Sequence, residues 1–236
     1  VEEMDKGVPV LISGELDQIK KQLPLAEQSE EYLFAAKDLM KIKEPIEEFS
    51  LLKAETDELG HTHLHMQQYF EDIPVFGGQI ILHASSEGKI NRLNGRYYPT
   101  PKINNIVPSM SGSEATQIAK IDLTTFTTIK ELSAFEKQYV SNPDAAPQLI
   151  IYHDFEDASR VFLCWKITIV PNMLENWDYF IDANTGAVLH KINNSCTFYP
   201  DLLLMDEPFG ALDEIVRDQL NEHFHKLWEQ TQKTVV

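Results

Sequence analysis

The sequence predicts an α+β fold made of two successive modules, each with an antiparallel sheet and packed helices. Two observations predict it. Strand-like runs fall into two groups, and each group follows a stretch whose apolar residues recur at spacings of three and four, as in an amphipathic helix. A segment from Tyr97 to Gly112, rich in proline, asparagine and serine, separates the groups and has the composition of a loop. We therefore place a module boundary near residue 108, within this segment.

The first group opens with an apolar stretch and a helix. Val8 to Leu16 is the apolar stretch, and Glu27 to Lys43 predicts an amphipathic helix of good helix formers. Pro45 stops this helix, because the residue before a proline is disfavoured in the α conformation. Phe49 to Ala54 then predicts a strand, so the helix covers one face of the sheet that follows.

Alternating residues from His61 to Tyr69 predict the next strand, with one wet face and one covered face. We expect a hairpin after it, because Asp72 to Pro74 cannot continue a ladder and Gly77–Gly78 supplies positive-φ freedom for a turn. The chain then returns as Gln79 to His83. Asn94–Gly95 is a later turn signal, so three strands form a meander.

The second group begins with a helix that is capped by Ser111 or Ser113, with Glu114 behind the cap. A second helix is predicted at about Thr128 to Tyr139, ending before Asn142–Pro143. Four β-rich runs separated by turn residues follow. They are Gln148 to Tyr152, Val161 to Val170, Trp177 to Asp182 and Val188 to Ile192.

Between residues 57 and 95 a set of polar, glycine and proline positions stands in a distinctive order. They are Asp57, Leu59–Gly60, His63, Gln67–Gln68, Pro74 to Gly78, His83, Gly88 and Asn94–Gly95. In order and spacing they resemble the N-terminal propeptide (FTP) region of thermolysin-like secreted zinc metalloproteases. His65 departs from the pattern, since the family usually has arginine there.

The second group resembles the PepSY module that follows the first module in the same propeptides. The resemblance lies in the order of helices and then a meander that ends in Trp177 to Leu189. It implies an FTP-like propeptide module at 1–108 and a PepSY-like module at 109–195.

The tail, 196–236, has a different resemblance. Leu202 to Asp213 is similar to the Walker B strand and D-loop of ABC transporter ATPases, importers above all, and Val216 to Trp228 and Lys233 to Val236 resemble the helix and strand that follow. The tail is thus a short, truncated fragment derived from an α/β domain. In a complete ATPase, Asp206 would help hold Mg²⁺ and Glu207 would orient the attacking water. Because the sequence contains no GxxxxGK[ST] loop, we expect no nucleotide binding and no cofactor.

Charge and cysteine content restrict the partners. The net charge of −17 argues against nucleic acid and anionic membranes, because like charges repel. No run approaches the ~20 apolar residues of a membrane helix, and no signal segment opens the chain at Val1. Cys164 and Cys196 lack the spacing of a zinc knuckle or disulfide framework, and we expect Cys164 to be a buried thiol.

Histidines are the candidate metal ligands. His61, His63 and His65 point to one face of the predicted strand, and His83 lies on a strand that can pair beside them. Neutral imidazoles at this spacing can bind Zn²⁺. The alternative is that they pack and hydrogen-bond, and it is favoured because no carboxylate or cysteine completes a recognisable set. The same cluster could instead make domain association sensitive to pH between about 5 and 8.

Other polar clusters have simpler interpretations. Asp154, Glu156 and Asp157 could attract Ca²⁺, but the loop lacks the glycine and bidentate glutamate of an EF-hand, so a solvated loop is favoured. His223 and His225 are two apart on a predicted helix and face different ways, so we expect them to be exposed.

The resemblance implies a non-catalytic, secreted pro-region, not an enzyme, that assists folding of a thermolysin-like protease domain and blocks its cleft. Its expected partner is that catalytic domain, and Lys191, Ile192, Asn193 and Asn194 are the expected link toward the cleft. Two alternatives stay open: a free-standing FTP-PepSY module that binds a protease in trans, and an inactive fragment of an ABC importer ATPase. The oligomeric state is not indicated.

Overall fold

The computed structural model describes residues 3–5, 7–18, 25–103, 105–140, 142–194, 202–203 and 234–235. The chain divides into two units, Val1–Asn194 and Ser195–Val236. The predicted boundary between residues 108 and 109 lies inside the first unit, where backbone hydrogen bonds join ten strands into one sheet.

The first unit confirms the predicted α+β class. Along the sheet the order is β1 (Glu3–Asp5), β2 (Val8–Gln18), β6 (Lys89–Arg96), β5 (Ile73–Ala84), β7 (Gln148–His153), β8 (Val161–Asn172), β9 (Glu175–Asp182) and β10 (Val188–Asn193). β4 (Thr62–Phe70) also pairs with β5, and β3 (Phe49–Thr56) pairs with β4. The helices are α1 (Leu25–Met40), α2 (Pro45–Glu48) and α3 (Gly112–Leu123).

The first core lies between α1 and the strands β2 to β6. Alternation along β4 buries Leu64 and Met66, which pack with Leu33 of α1 and Leu82 of β5. The opposite face of the same strands carries half-buried polar side chains. The predicted helix and strand are thus confirmed, and Pro45, instead of only ending a helix, begins the short helix α2.

The second core lies between α3 and the strands β8 and β9. Ser111 is the N-cap of α3: its hydroxyl accepts from the backbone N–H of Glu114, and the Glu114 carboxylate accepts from the backbone N–H of Ser111 at 2.7 Å. Ala115 and Ala119 are fully buried against Ile167. All four predicted strands of this half are present.

Two smaller cores contain residues from both predicted modules. Val75 of β5 pairs in parallel with Ile151 of β7 and packs with Leu163 on one side of the sheet. Phe76, the next residue, packs on the other side, with its ring 4.7 Å from that of Phe180. β5 therefore joins the strands of the first predicted module to those of the second within one sheet.

The predicted hairpin turn is corrected. The turn is Glu71–Asp72, both with positive φ, and β5 already begins at Ile73. This is the backbone of a two-residue type I′ hairpin, which matches the twist of the flanking strands. Pro74 and Gly77–Gly78 lie within β5, and Pro74 stands opposite Tyr69 beside a bulge.

Asn94–Gly95 is not a turn either, since both residues lie within β6. The strand passes so close to β5 that a side chain at Gly95 would come within 2.7 Å of the Ile80 Cα. Glycine is required here because the backbones of the two strands approach each other too closely for a side chain.

The predicted helix at 128–139 is wrong. Only Glu136–Tyr139 forms a helical turn, of the 3₁₀ type. The Lys130 N–H instead donates to the Pro171 carbonyl at 2.7 Å, which ties this segment to the end of β8.

The second unit contains two short described strands, β11 (Leu202–Leu203) and β12 (Thr234–Val235), paired in parallel with Leu202 opposite Thr234. This pairing agrees with the two strands that the ATPase resemblance implies. Asp206, Glu207, Cys196, His223, His225 and the predicted helix 216–228 lie outside the described residues. Within the described part of the chain, no helix is long and apolar enough to cross a membrane.

Candidate functional site

His63 and His83 form the centre of the candidate site. They stand directly opposite each other on β4 and β5, with 2.7 Å between their Nδ1 atoms. On the outer side of each ring there is an acceptor. His63 Nε2 lies 3.3 Å from the Asp57 carboxylate, and His83 Nε2 contacts Asn94 Oδ1. Four side chains thus form one hydrogen-bonded chain across three strands and a turn.

The outer acceptor at Asp57 orients the His63 ring. A carboxylate only accepts, so His63 Nε2 donates to Asp57, and the two facing Nδ1 atoms lie within hydrogen-bond distance of each other. Burial lowers the pKa of His83 below its usual range, despite the opposing contact with Asn94.

Asp57 is held in place by the turn that precedes β4. Its Oδ1 accepts from the backbone N–H groups of Leu59 and His61, at 2.9 and 2.8 Å. The hydrogen bond from the His61 backbone is the main reason that the pKa of Asp57 is lowered, and His63 adds to the effect. Asp57 is therefore a preorganised anionic partner for His63.

The four histidines considered as candidate metal ligands do not converge on one point. His61 Nδ1 turns to Asp57 Oδ2 at 3.5 Å, and His65 Nε2 turns to Glu55 at 3.4 Å. Only His63 and His83 make direct contact. Among the described residues there is no group of three or more histidine, cysteine, aspartate or glutamate side chains arranged to hold a metal ion.

An open cleft of about 480 Å³ adjoins the two histidines. Arg92 of β6 stands opposite His83 on one side and opposite Ser13 of β2 on the other. These strands bring their side chains to the same face of the sheet. The residues that line the cleft are Ser13, His61, His63, His83, Ala84, Asn91 and Arg92.

Gln68 is a buried polar residue whose role the sequence did not reveal. Its side-chain amide donates to the Tyr98 carbonyl at 2.8 Å and accepts from the Tyr98 N–H at 3.0 Å. A side chain at Gly78 would come within 2.9 Å of Gln68, so a glycine there leaves room for the amide. The pair fixes the start of the loop that follows β6.

His153 was also missed. Its ring stacks on Tyr98 with 3.8 Å between centroids and 4° between planes. Tyr98 thus contacts Gln68 of the first half and His153 of the second. Because a single histidine in a β-rich run carries no periodic signal, only the fold reveals this contact.

The expected link to a protease cleft lies on β10. Lys191 Nζ pairs with Asp122 Oδ2 at 2.8 Å and lies 4.5 Å from the Phe126 ring centroid. Ile192 is half-buried, and Asn193 pairs with Trp177. The Asn194 N–H donates to the Asn176 carbonyl at 2.7 Å. These residues are held by the sheet and by α3.

In the acidic loop after β7, the carboxylates of Asp154 and Asp157 pair with other residues of the same loop. Asp154 pairs with Arg160 at 3.1 Å, and Asp157 Oδ1 accepts from the Ser159 N–H and hydroxyl. Cys164 is fully buried, as expected, and burial raises the pKa of its thiol.

The strands and turn that hold Asp57, His63, His83 and Gln68 all lie within the part of the chain that matches a known family. Residues 47–97 match the family model described as Fungalysin/Thermolysin Propeptide Motif. This stretch is therefore similar to the propeptide motif that the family model describes. A thermolysin of Alicyclobacillus acidocaldarius subsp. acidocaldarius is 32% identical over 149 residues, which are 62% of this chain and 26% of that protein. The chain therefore spans about a quarter of the length of the thermolysin relatives that it matches.

Two further similarities lie outside or beyond the propeptide motif. The choline transport ATP-binding protein OpuBA of Bacillus subtilis (strain 168) is 62% identical over 37 residues, 16% of this chain and 10% of that protein. The C-terminal domain of Bacillus megaterium YpeB is a solved structure with 14% identity and a TM-score of 0.35, covering 78% of this chain and 71% of that one.

Proposed function

We propose that residues 1–194 are a pro-region of a thermolysin-like zinc metalloprotease, which assists folding of the catalytic domain and occupies its cleft until it is cut. The observation that supports this most is the propeptide motif at 47–97, together with the thermolysin similarity over 149 residues. In this proposal the chain is exported with its protease and has no catalytic activity of its own.

The fold suits this role because it is preorganised. A single sheet runs from β1 to β10, and Val75 and Tyr98 contribute to a core with residues of the second half. A partner that binds such a surface does not have to order it first, so little binding energy is lost. A surface that favours the native form of the catalytic domain stabilises that form by mass action, and the same surface then inhibits it.

We also retain the proposal that Lys191 to Asn194 lead toward the protease cleft. β10 lies at the end of the strand order, and the Lys191–Asp122 ion pair fixes its direction against α3. The side chain of Lys191 is already paired, so its role would be to hold the exit of the chain rather than to contact the protease.

The test adds the full chain to an active thermolysin-like protease and measures peptide hydrolysis, with a parallel assay of refolding of the denatured protease domain. We expect saturable inhibition and a higher yield of refolded enzyme. The matched control is Gly95→Val, which places a side chain against the β5 backbone and disrupts the first sheet. Equal rates and yields with and without the native chain would refute the proposal.

For the tail we propose no ATPase function. Leu202 to Asp213 resembles a Walker B strand and D-loop, and a nucleotide also needs a phosphate-binding GxxxxGK[ST] loop, which the given sequence does not contain. Calorimetry of the chain with Mg-ATP is expected to give no heat of binding. A saturable heat would instead support the second alternative, a fragment of an ABC importer ATPase.

A further inference from the structure

The cleft beside His63 and His83 carries an exposed cation, Arg92, although the protein as a whole is strongly acidic. The net charge of the chain is −17, yet no aspartate or glutamate is among the described residues that line the cleft. Arg92 lies opposite His83 across β5 and β6, and His83 contacts His63. The permanent charge among these lining residues is thus opposite in sign to the net charge of the chain.

The nearby carboxylates are already engaged. Asp57 accepts two backbone N–H groups and contacts His61 and His63. Glu55 pairs with Lys53 at 2.8 Å and with His65. The Arg92 guanidinium is exposed and makes no hydrogen bond or ion pair with any residue that the structure describes. It is therefore the available cation of the cleft.

The chemistry of these groups favours a carboxylate. A guanidinium presents parallel N–H donors that match the two oxygens of a carboxylate. The Asn91 amide and the Ser13 side chain lie in the same cleft and are polar neighbours for such an anion. Nucleic acids and anionic membranes carry many charges and would be repelled by the rest of this chain, whereas a single carboxylate would not.

We propose that this cleft binds an acidic side chain of the partner protein, with the carboxylate on Arg92. The inference rests on the proposed function, because the partner is the protease catalytic domain. It adds a specific polar contact, in the propeptide motif itself, to a partner surface that was otherwise undefined.

The first experiment measures inhibition of a thermolysin-like protease by the full chain and three variants. Arg92→Ala is expected to raise the inhibition constant about tenfold to a hundredfold, as for loss of a hydrogen bond to a charged group. Arg92→Lys is expected to retain part of the inhibition, because lysine keeps the positive charge but lacks the parallel N–H donors of the guanidinium. Lys120→Ala, which removes an exposed positive charge from α3, leaves inhibition unchanged.

Ionic strength gives a second measure in the same assay. The difference between the native chain and Arg92→Ala is expected to shrink as salt rises from about 0.05 M to about 0.5 M, because salt screens an exposed ion pair. Inhibition by Arg92→Ala equal to that of the native chain overturns the inference. So does an equal loss in Lys120→Ala, or a loss that salt does not change.

If the native chain does not inhibit at all, the proposed function fails. A separate experiment then still tests whether the cleft binds a carboxylate. N-acetylglutamate amide, with one side-chain carboxylate, is titrated into the full chain while the ring protons of His63 and His83 are followed by NMR. We expect saturable shifts that the neutral N-acetylglutamine amide does not cause and that Arg92→Ala abolishes. Identical responses to both compounds would show that the cleft does not recognise a carboxylate.

Discussion

Two glycines in the stretch 47–97, which matches the propeptide model, differ in why they are needed. Gly95 lies where β6 touches the β5 backbone, whereas Gly77 has φ +72° and nothing within 4 Å of an added Cβ. We expect Gly95→Ala to lower the free energy of unfolding by on the order of 3 kcal/mol, because backbone must move. Gly77→Ala is expected to cost only about 1 kcal/mol, the conformational cost alone. Urea unfolding followed by circular dichroism measures both, and equal losses would contradict the distinction.

Two buried tyrosines allow a matched comparison of hydroxyl groups. The Tyr179 hydroxyl donates to Asp122 at 2.8 Å, whereas the buried Tyr97 hydroxyl has no hydrogen-bond partner among the described residues. Tyr179→Phe is expected to lower the free energy of unfolding by about 2 kcal/mol, and Tyr97→Phe to raise it by about 1 kcal/mol. Chemical unfolding of both variants tests this. A loss of stability in Tyr97→Phe would mean that its hydroxyl is satisfied.

The histidines show how far sequence reasoning reaches at the scale of residues. Strand alternation correctly places His63 and His65 on one face and brings His83 beside His63. It does not predict that His65 turns to Glu55, because that contact depends on the register of β3 and on its bulge between Leu51 and Lys53. Periodicity reports the face of a strand, but the partner of each side chain is set by the neighbouring strand.

At the scale of elements, the 3₁₀ turn after Leu132 depends on Glu136. Its carboxylate accepts from Lys130 and from the Ser133 N–H and hydroxyl, and these contacts lower the pKa of Glu136 to about 2. A carboxyl whose pKa is lowered by folding stabilises the fold above its unfolded pKa, near 4.5, and loses that effect as the pH falls toward about 2.

The prediction concerns acid stability. Between about pH 4.5 and about pH 2, the melting temperature of the native chain should fall more steeply than that of Glu136→Gln, which has no charge to lose. Glu131→Gln, an exposed change in the same segment, is the control and should follow the native chain. Melting curves across this range provide the measurement, and parallel curves for Glu136→Gln and the native chain would disprove the role.

The errors at this scale have a common physical origin. Propensity predicted a helix at 128–139, but the Lys130 N–H is taken by Pro171, more than forty residues later. Proline and glycine predicted a break at 74–78, but that stretch continues as a strand that pairs with β7. Helices and strands with only local partners were predicted well. Segments that depend on distant hydrogen bonds were not, because single-sequence patterns do not contain those partners.

At the scale of the whole molecule, Val75 tests whether the two predicted modules unfold together. It is fully buried in a core shared by both halves, so Val75→Ala leaves a cavity there. We expect the free energy of opening, measured by amide hydrogen exchange, to fall by the same amount in β4 and in β8, about 2 kcal/mol. Val107→Ala, at an exposed loop position, is the control and should change neither. Faster exchange in one half alone would support two independent modules with a boundary near 108.

The α+β class, the helices α1 and α3 and the four strands β7 to β10 follow from the sequence, as does the propeptide resemblance of residues 47–97. The join between the halves does not. It consists of one parallel pair, Val75 with Ile151, and two flanking clusters whose members are ordinary apolar residues in sequence. Apolar residues predict that a surface is buried, but they do not identify what covers it.

The pairing of Val75 with Ile151 also implies a delay during biosynthesis, because the two residues are synthesised at different times. A ribosome adds about 5–20 residues per second, so the partner of Val75 emerges roughly 4–15 seconds after it. During that interval the hairpin of β4 and β5 is complete while one edge near Val75 stays unpaired, open to chaperones or to a neighbouring nascent chain. Slowing translation between codons 76 and 150 would lengthen this exposure without altering a single residue of the finished protein.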